Sequence, residues 1–406
     1  MPAPRITPFS ALRHRNFRLF FVGQSISLVG TWMQSIAQGW LVLQLTNSAF
    51  YVGLVSALGS LPILLVSLPA GVFADRANKH RLVILTQTLS LVQALVLAVL
   101  VGTHRIELWH VALLAVILGV VNAFDNPTRQ AFMFELVGKD DLMNAIALNS
   151  SSFNAARVIG PAIAGILIGA VGLALCYFLN ALSYVAVIWG LLAMRLPPFV
   201  RPERTGPGWD RFREGASFVR HDRRVLALVT MTAIISVFGF PILVLMPVFA
   251  RDVLRVGASG LGFLSAAVGV GAVVAALGLA TFGPHVRKGG LLRWSGPVLG
   301  VALMAFAVNR WVPASLVILA VAGSGMILNN AVTNTLIQSL VPHALRGRVM
   351  AFYTFMFLGM APFGAFQAGW VAHQAGAPVA AAVGGAVCAI SSLVLWRLVP
   401  EVPALR

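Results

Sequence analysis

Pro-Pro-Phe-Val-Arg-Pro-Glu-Arg-Thr-Gly-Pro-Gly-Trp-Asp-Arg-Phe-Arg-Glu-Gly-Ala-Ser-Phe-Val-Arg-His-Asp-Arg-Arg, residues 197–224, is the longest polar interruption between the apolar runs of this chain. Its first half, crowded with Pro, Gly and Arg, cannot continue a helix. Its second half, from Asp210 on, has an amphipathic helical pattern that suits the membrane surface among anionic headgroups. Apolar runs of helical length lie on both sides of it. The 406 residues are 59% hydrophobic and 10% charged, a balance that would leave a soluble protein covered in apolar surface. A helix needs about 20 apolar residues to cross a bilayer core. A β-barrel would show weak alternation in short segments, so the reading is an all-α membrane protein.

Apolar windows and their punctuation place twelve transmembrane helices near 17–45, 51–74, 82–102, 109–134, 143–170, 172–195, 225–250, 260–283, 291–308, 311–340, 347–375 and 377–398. They divide into an N-terminal six-helix bundle (1–195), a cytoplasmic linker (196–224) and a C-terminal six-helix bundle (225–406). The formal charge is +17, but its basic residues sit in short connectors, which speaks for topology and against nucleic acid. With the N-terminus inside, the inner segments hold 24 of the 29 Lys and Arg, eight of them from Arg195 to Arg224. The outer segments hold Arg105, Arg251, Arg255 and Arg310, and Arg157 lies within a span. Both termini are therefore expected in the cytoplasm of a bacterial inner-membrane protein. The basic, Pro-rich N-terminus lacks a signal-peptide pattern, so the first helix reads as an uncleaved insertion signal. Cys176 and Cys388 lie inside apolar runs and read as packing residues, neither a disulfide nor a metal site.

An internal repeat supports the division. Gly53, Ser56 and Ala57 recur as Gly262, Ser265 and Ala266, 209 positions on. Val137, Ala147, Gly160, Ala164 and Gly165 recur as Val341, Ala351, Gly364, Ala368 and Gly369, 204 positions on. Two pseudo-symmetric six-helix halves with a site between them at mid-membrane are the architecture this duplication points to.

Between the second and third helices the chain reads Gly71-Val-Phe-Ala-Asp75-Arg76-Ala-Asn-Lys79-His-Arg81. Gly71 permits close helix contact, and Asp75 can cap a facing helix N-terminus or pair with arginines. This run resembles the loop signature of the major facilitator superfamily, which implies the major facilitator fold, a secondary transporter, and a latch that holds the outward-open state. The equivalent run after Gly278 has lost the acid, so its latch is expected to be weaker or absent. The fifth helix carries Ala147, Ala156, Gly160, Pro161, Ala164 and Gly165 at the spacing of the superfamily's antiporter signature, with Ala in place of Gly at three positions. Small residues every turn let helices meet closely and Pro161 should bend the helix; the resemblance implies export by exchange.

Further runs narrow the resemblance: Asp125-Asn-Pro-Thr-Arg129-Gln-Ala-Phe, Glu135-Leu-Val, Asn144-Ala, Asn154-Ala-Ala-Arg157-Val-Ile-Gly-Pro161 and Leu-Val-Pro342-His-Ala-Leu-Arg346-Gly-Arg348-Val. They resemble the branch of enterobactin exporters and related transmembrane secretion effectors over nearly the whole chain. Glu135, Arg346 and Arg348 join the latch residues on this reading.

Only Asp125, Arg129 and Arg157 are ionisable well inside the spans, where charge is expensive. Asp125 and Arg129 have i, i+4 spacing, but Pro127 lies between them, so Arg157 is the favoured partner of Asp125. Asp125 either exchanges a proton as the halves rock or forms a static pair. The superfamily's usual fourth-helix arginine would fall at Ala115, and its absence puts the familiar coupling route in doubt. Substrate-path candidates are Gln24, Trp32, Gln34, Gln38, Asn122, Asn149, Asn330, Asn334 and Tyr353, each with interhelical glue as its competing role. No phosphate loop, metal motif or catalytic constellation is visible, so no cofactor and no enzyme activity are expected. The expected partners are the bilayer, a small organic substrate of drug or siderophore type, and protons, with a monomer as the working unit. An uptake permease is the alternative reading.

Overall fold

The computed structural model describes residues 9–199 and 208–405. Arg5, Arg201, Arg204, Arg406 and most of the Pro- and Gly-rich half of the 197–224 stretch lie outside the described residues. The chain is helical throughout the described residues: α1 (Arg15–Thr46), α2 (Ala49–Arg76), α3 (Lys79–Gly102), α4 (Leu108–Val137), α5 (Leu142–Ala170), α6 (Leu173–Leu192), α7 (Gly208–His221), α8 (Arg223–Ile234), α9 (Ile242–Val248), α10 (Gly257–Phe282), α11 (Lys288–Val308), α12 (Val312–Leu340), α13 (Arg346–Gly359), α14 (Ala361–Ala375) and α15 (Ala377–Leu398). Among the described residues eleven segments are long and apolar enough to cross a membrane, with α8–α9 and α13–α14 each counted as one. The twelfth span is α1, whose 32 residues include Gln24, Gln34, Gln38 and Gln44. The ends follow local chemistry: Asn78 Oδ1 accepts the Arg81 N–H at the start of α3, and Glu107 and His110 form a capping box on α4.

Two spans expected to be continuous are interrupted. The seventh runs from α8 through a π turn at Ile235–Gly239, breaks at Phe240–Pro241, and resumes as α9. The eleventh breaks at Met360, between α13 and α14. Pro241 and Pro362 lack the N–H a continuous helix would use, and each follows a glycine by two or three residues. The two breaks lie against each other and supply polar partners there. Gln367 Nε2 donates to the Val237 carbonyl at 3.0 Å, and the Ser236 hydroxyl donates to the Phe357 carbonyl at 2.6 Å. In α5, by contrast, Pro161 sits within a helix that continues from Leu142 to Ala170.

Helices α1–α6 meet α8–α15 mainly along two crossings, α5 on α10 and α2 on α14. Glycine sets both. A Cβ added at Gly53 would sit 2.6 Å from the Ala365 carbonyl oxygen and 2.7 Å from Gly369 Cα. A Cβ added at Gly262 would sit 2.6 Å from the Pro161 carbonyl oxygen and 2.7 Å from Gly165 Cα. These are the positions linked by the repeat: Gly53 corresponds to Gly262, and Gly165 to Gly369. The duplicated sequence thus reappears as one contact made twice. Both crossings lie in the part of the spans remote from the termini.

Helix α7 is amphipathic and packs on the start of α13, with Gly215 against the Arg348 backbone and Phe212 against Phe352 and Phe355. Replacing Gly369 with Leu must push α2 and α14 apart, and overpacking of this kind costs about 1–3 kcal/mol. In a protein whose native cysteines are replaced, the expected result is a several-fold faster reaction of a cysteine at Ser56 with an impermeant thiol reagent added from the face opposite the termini. An unchanged rate would show that the crossing does not seal that face.

Candidate functional site

Toward the termini the two groups of helices part around a cavity of about 810 Å³. Its walls come from α2 (Ile63, Ser67, Gly71, Asp75), α4 (Asn122, Asn126, Gln130) and the α13 side (Gly347, Arg348, Thr354, Phe355). The volume is that of a site for a small organic molecule, and the lining mixes apolar surface with a few amides and hydroxyls. The signature residues lie around its mouth. A Cβ at Gly71 would meet nothing within 4 Å, so the close contact expected there is not made in this conformation. Asp75 and Arg76 are exposed, and no ion pair joins Asp75 to another described residue. Lys79 pairs with Glu135 at 2.7 Å, tying α3 to α4. Arg81 caps at Asn78 through its backbone N–H, and Arg348 pairs with Glu214 of α7. Arg346 Nε is buried with no hydrogen-bond partner among the described residues.

Asp125 is 2% exposed, and its partner differs from the one expected. Helix α4 passes through Pro127 without a break, so the i, i+4 spacing survives and Arg129 Nε lies 2.6 Å from Asp125 Oδ2. Arg129 Nε is not aligned for a hydrogen bond, so the contact is one of charge; Arg129 Nη2 donates instead to Asn126 Oδ1 at 3.1 Å. The other carboxylate oxygen accepts from the Thr86 hydroxyl at 2.6 Å and from Gln87 Nε2 at 3.1 Å. Thr86 and Gln87 are functional neighbours that sequence reasoning misses, although Thr86, Gln87, Ser90 and Gln93 form a polar face on an otherwise apolar span. Arg129, Asn126 and Gln130 also line a small polar cavity of about 190 Å³ with Gln24 and Asn149. Asn126 and Gln130 face the large cavity too, so the ion pair lies one layer behind its wall.

Arg157 stands apart from this pair. It is 6% exposed, its guanidinium carbon is 5.7 Å from the Trp32 ring centroid, and its Nη2 has no hydrogen-bond partner among the described residues. It lines a cavity of about 170 Å³ between the two groups of helices, with Trp32, Ser56, Pro161 and Ser265. Small residues of α5 make room here: a Cβ at Gly160 would lie 2.6 Å from Trp32 Cβ, and Ala156 is 1% exposed.

The remaining candidates divide. Gln34 does not face a cavity: its amide donates to Gln93 Oε1 at 3.0 Å and accepts from Asn180 Nδ2 at 2.6 Å, joining α1 to α3 and α6. A fully bonded amide in lipid-embedded protein acts as interhelical glue. Tyr353 is buried and its hydroxyl donates to the Asn330 carbonyl at 3.3 Å, while Asn334 Oδ1 accepts from Gln338 Nε2 at 2.6 Å. Gln38 is half-buried outside the cavities described above. Among the described residues no group of three His, Cys, Asp or Glu is placed to hold a metal.

Removing one partner of a buried charge pair costs about 3–5 kcal/mol when nothing replaces it, and less where water reaches the other partner. Arg129 is partly exposed, so Asp125→Ala is expected to cost about 2–3 kcal/mol, read as a lower unfolding temperature in detergent. The double variant Asp125→Ala/Arg129→Ala should recover part of the loss. No recovery would mean that the pair is not coupled.

Comparison with known proteins places this geometry in a family. The sequence model of the transmembrane secretion effectors matches residues 6–405. The chain is 28% identical to the multidrug efflux pump Tap of Mycolicibacterium fortuitum, over 86% of this chain and 87% of that one. It is 26% identical to the enterobactin exporter EntS of Shigella flexneri, over 84% and 81% respectively. It is 24% identical to the staphyloferrin A transporter of Staphylococcus aureus, over 72% and 74%. Among solved structures it is similar to a bacterial homologue of the iron transporter ferroportin in an inward-facing state, with a TM-score of 0.71 at 16% identity over 94% of this chain and 98% of that one. It is also similar to the nucleoside transporter NupG, with a TM-score of 0.71 at 11% identity over 96% and 99%. These proteins are transporters rather than enzymes, and this multi-pass membrane protein belongs to the transmembrane secretion effector family of the major facilitator superfamily.

Proposed function

We propose that this protein exports small organic molecules across the bacterial inner membrane by alternating access, exchanging each for a proton. The observation that carries the reading is the asymmetry of the interface: glycine crossings close the side remote from the termini, and a cavity of about 810 Å³ opens on the other. Positive charge concentrated on the termini side supports a cytoplasmic location for that side, and on this reading the cavity faces the compartment from which an exporter loads. The domains on this reading are 1–195 and 225–406, with 196–224 as the linker. Relatives named as an efflux pump and an exporter support the outward direction.

Closing the cytoplasmic mouth would carry Asp75 toward the N-terminus of α13, where the helix dipole and Arg348 favour a carboxylate. Arg348 would then exchange Glu214 for Asp75. Asp125 is the proton site on this reading. Its charge is held by Arg129, Thr86 and Gln87; a proton arriving through the polar cavity beside Arg129 would neutralise it and free Arg129. The substrate path runs along Asn122, Gln130 and the α2 face from Gly71 to Ile63.

The purified protein in vesicles with an internal pH dye should show proton flux when transported drugs or siderophores are added, and Asp125→Asn should abolish it. Unchanged flux in Asp125→Asn would remove Asp125 from the mechanism. Substrate movement down its own gradient without proton flux would replace exchange with facilitated uptake.

A further inference from the structure

The cavity that holds Arg157 contains a cation with no counter-charge among the described residues. Among the described acidic residues only Asp125 lies deep within a span, and it is engaged by Arg129, Thr86 and Gln87. The other described ones sit at helix ends, in loops or in α7. The Arg157 guanidinium has an aromatic ring at 5.7 Å and an Nη2 that meets no acceptor among the described residues. On the opposite wall, Ser265 Oγ is buried and likewise without a partner among the described residues. Arg157 of α5 and Ser265 of α10, one from each half and each carrying a donor without a partner among the described residues, therefore line one cavity of about 170 Å³. A buried cation is costly unless paired, and a buried donor costs free energy until an acceptor reaches it.

We propose that this cavity is the anchoring subsite for an anionic group of the transported molecule, a carboxylate above all, which Arg157 binds with help from Ser265. The planar guanidinium fork matches the two oxygens of a carboxylate, and the Trp32 ring offers a flat apolar surface beside it. The volume holds a carboxylate and one ring system but not a drug-sized molecule. The rest of the substrate lies along α2, whose face contributes Ser56 to this subsite and Ile63 and Ser67 to the large cavity. The substrate class is thus amphipathic organic carboxylates. Because Arg157 and Ser265 belong to different halves, a bound carboxylate would tie the halves together at the point about which they rock. The proposal rests on the export reading for its biological meaning, but its chemistry can be tested separately.

Equilibrium binding of tritiated 2-naphthoate to the purified protein in nanodiscs, with neutral 2-naphthamide as competitor, makes the test. In the wild type the carboxylate should bind and the amide should compete about tenfold less well or worse. Arg157→Gln should weaken naphthoate about tenfold or more and leave naphthamide unchanged, and Arg157→Lys should restore part of the loss. No naphthoate binding to the wild type, equal competition by the amide, or undiminished naphthoate binding in Arg157→Gln would each overturn the proposal. The wild-type comparison stands even where a variant does not fold. Efflux of neutral drugs alongside equal competition would sink the anionic subsite alone. Discrimination against the amide without any transport would sink the export reading alone.

Discussion

Backbone can meet backbone between two membrane helices only where side chains are absent, and this structure depends on that constraint at two places. Lipid supplies no hydrophobic drive to press helices together, so association relies on close packing. Gly53 against Gly369 and Gly165 against Gly262 provide it, at distances where any Cβ would collide. Because the two crossings are copies of one another, the halves close as two equivalent hinges would, on one side only. The cavity on the other side follows from that asymmetry, and so does the position of Arg157, which sits below the α5–α10 crossing with its own backbone carbonyl 2.9 Å from where a Cβ of Gly269 would lie.

Polar groups inside the spans differ in what they bond to, and the difference tracks their place in the fold. The chain Gln93–Gln34–Asn180–Ser183 links α3, α1 and α6 with its amides bonded at both ends, and it stiffens the N-terminal half as a unit. The Asp125 group is also bonded, through Thr86 and Gln87, and its Arg129 lines the small cavity shared with Gln24 and Asn149. Arg157 and Ser265 keep unpaired donors at the seam between halves. Amides that tie helices within one half, and open donors where the two halves meet, suit a transporter whose halves move as units while a ligand acts at the interface.

Much of this is legible in the sequence because membrane physics is restrictive. Span number, the six-and-six division and the loop signature all rest on long apolar runs and a strong charge bias. The paired glycines are visible as a repeat, but a repeat cannot say that Gly53 contacts Gly369 rather than Gly262. Only the packing of α2 on α14 does. The breaks at Phe240–Pro241 and Met360 leave a signal in Gly-Phe-Pro and Gly-Met-Ala-Pro, one weakened by the tolerance of membrane helices for proline. The cost of burying charge singles out Asp125 but does not name its partner. The bias against helix before Pro127 yields to simple i, i+4 geometry, because α4 stays continuous. Thr86 and Gln87 escape notice because a hydroxyl and an amide in a span raise no alarm singly, and their shared face shows only once α3 is built.

If the two faces open in alternation around the glycine crossings, their separations must change in opposite senses. Ser48 and His373 lie 3.4 Å apart on the closed face. Paired spin labels at these positions, and a second pair at Ala77 and Ala344 on the open face, would report both distances by pulsed electron resonance as pH and substrate are varied. A lengthening of the Ser48–His373 distance is expected to be matched by a shortening of the Ala77–Ala344 distance in the same population. Distances that lengthen together, or that stay fixed while transport proceeds, would contradict it.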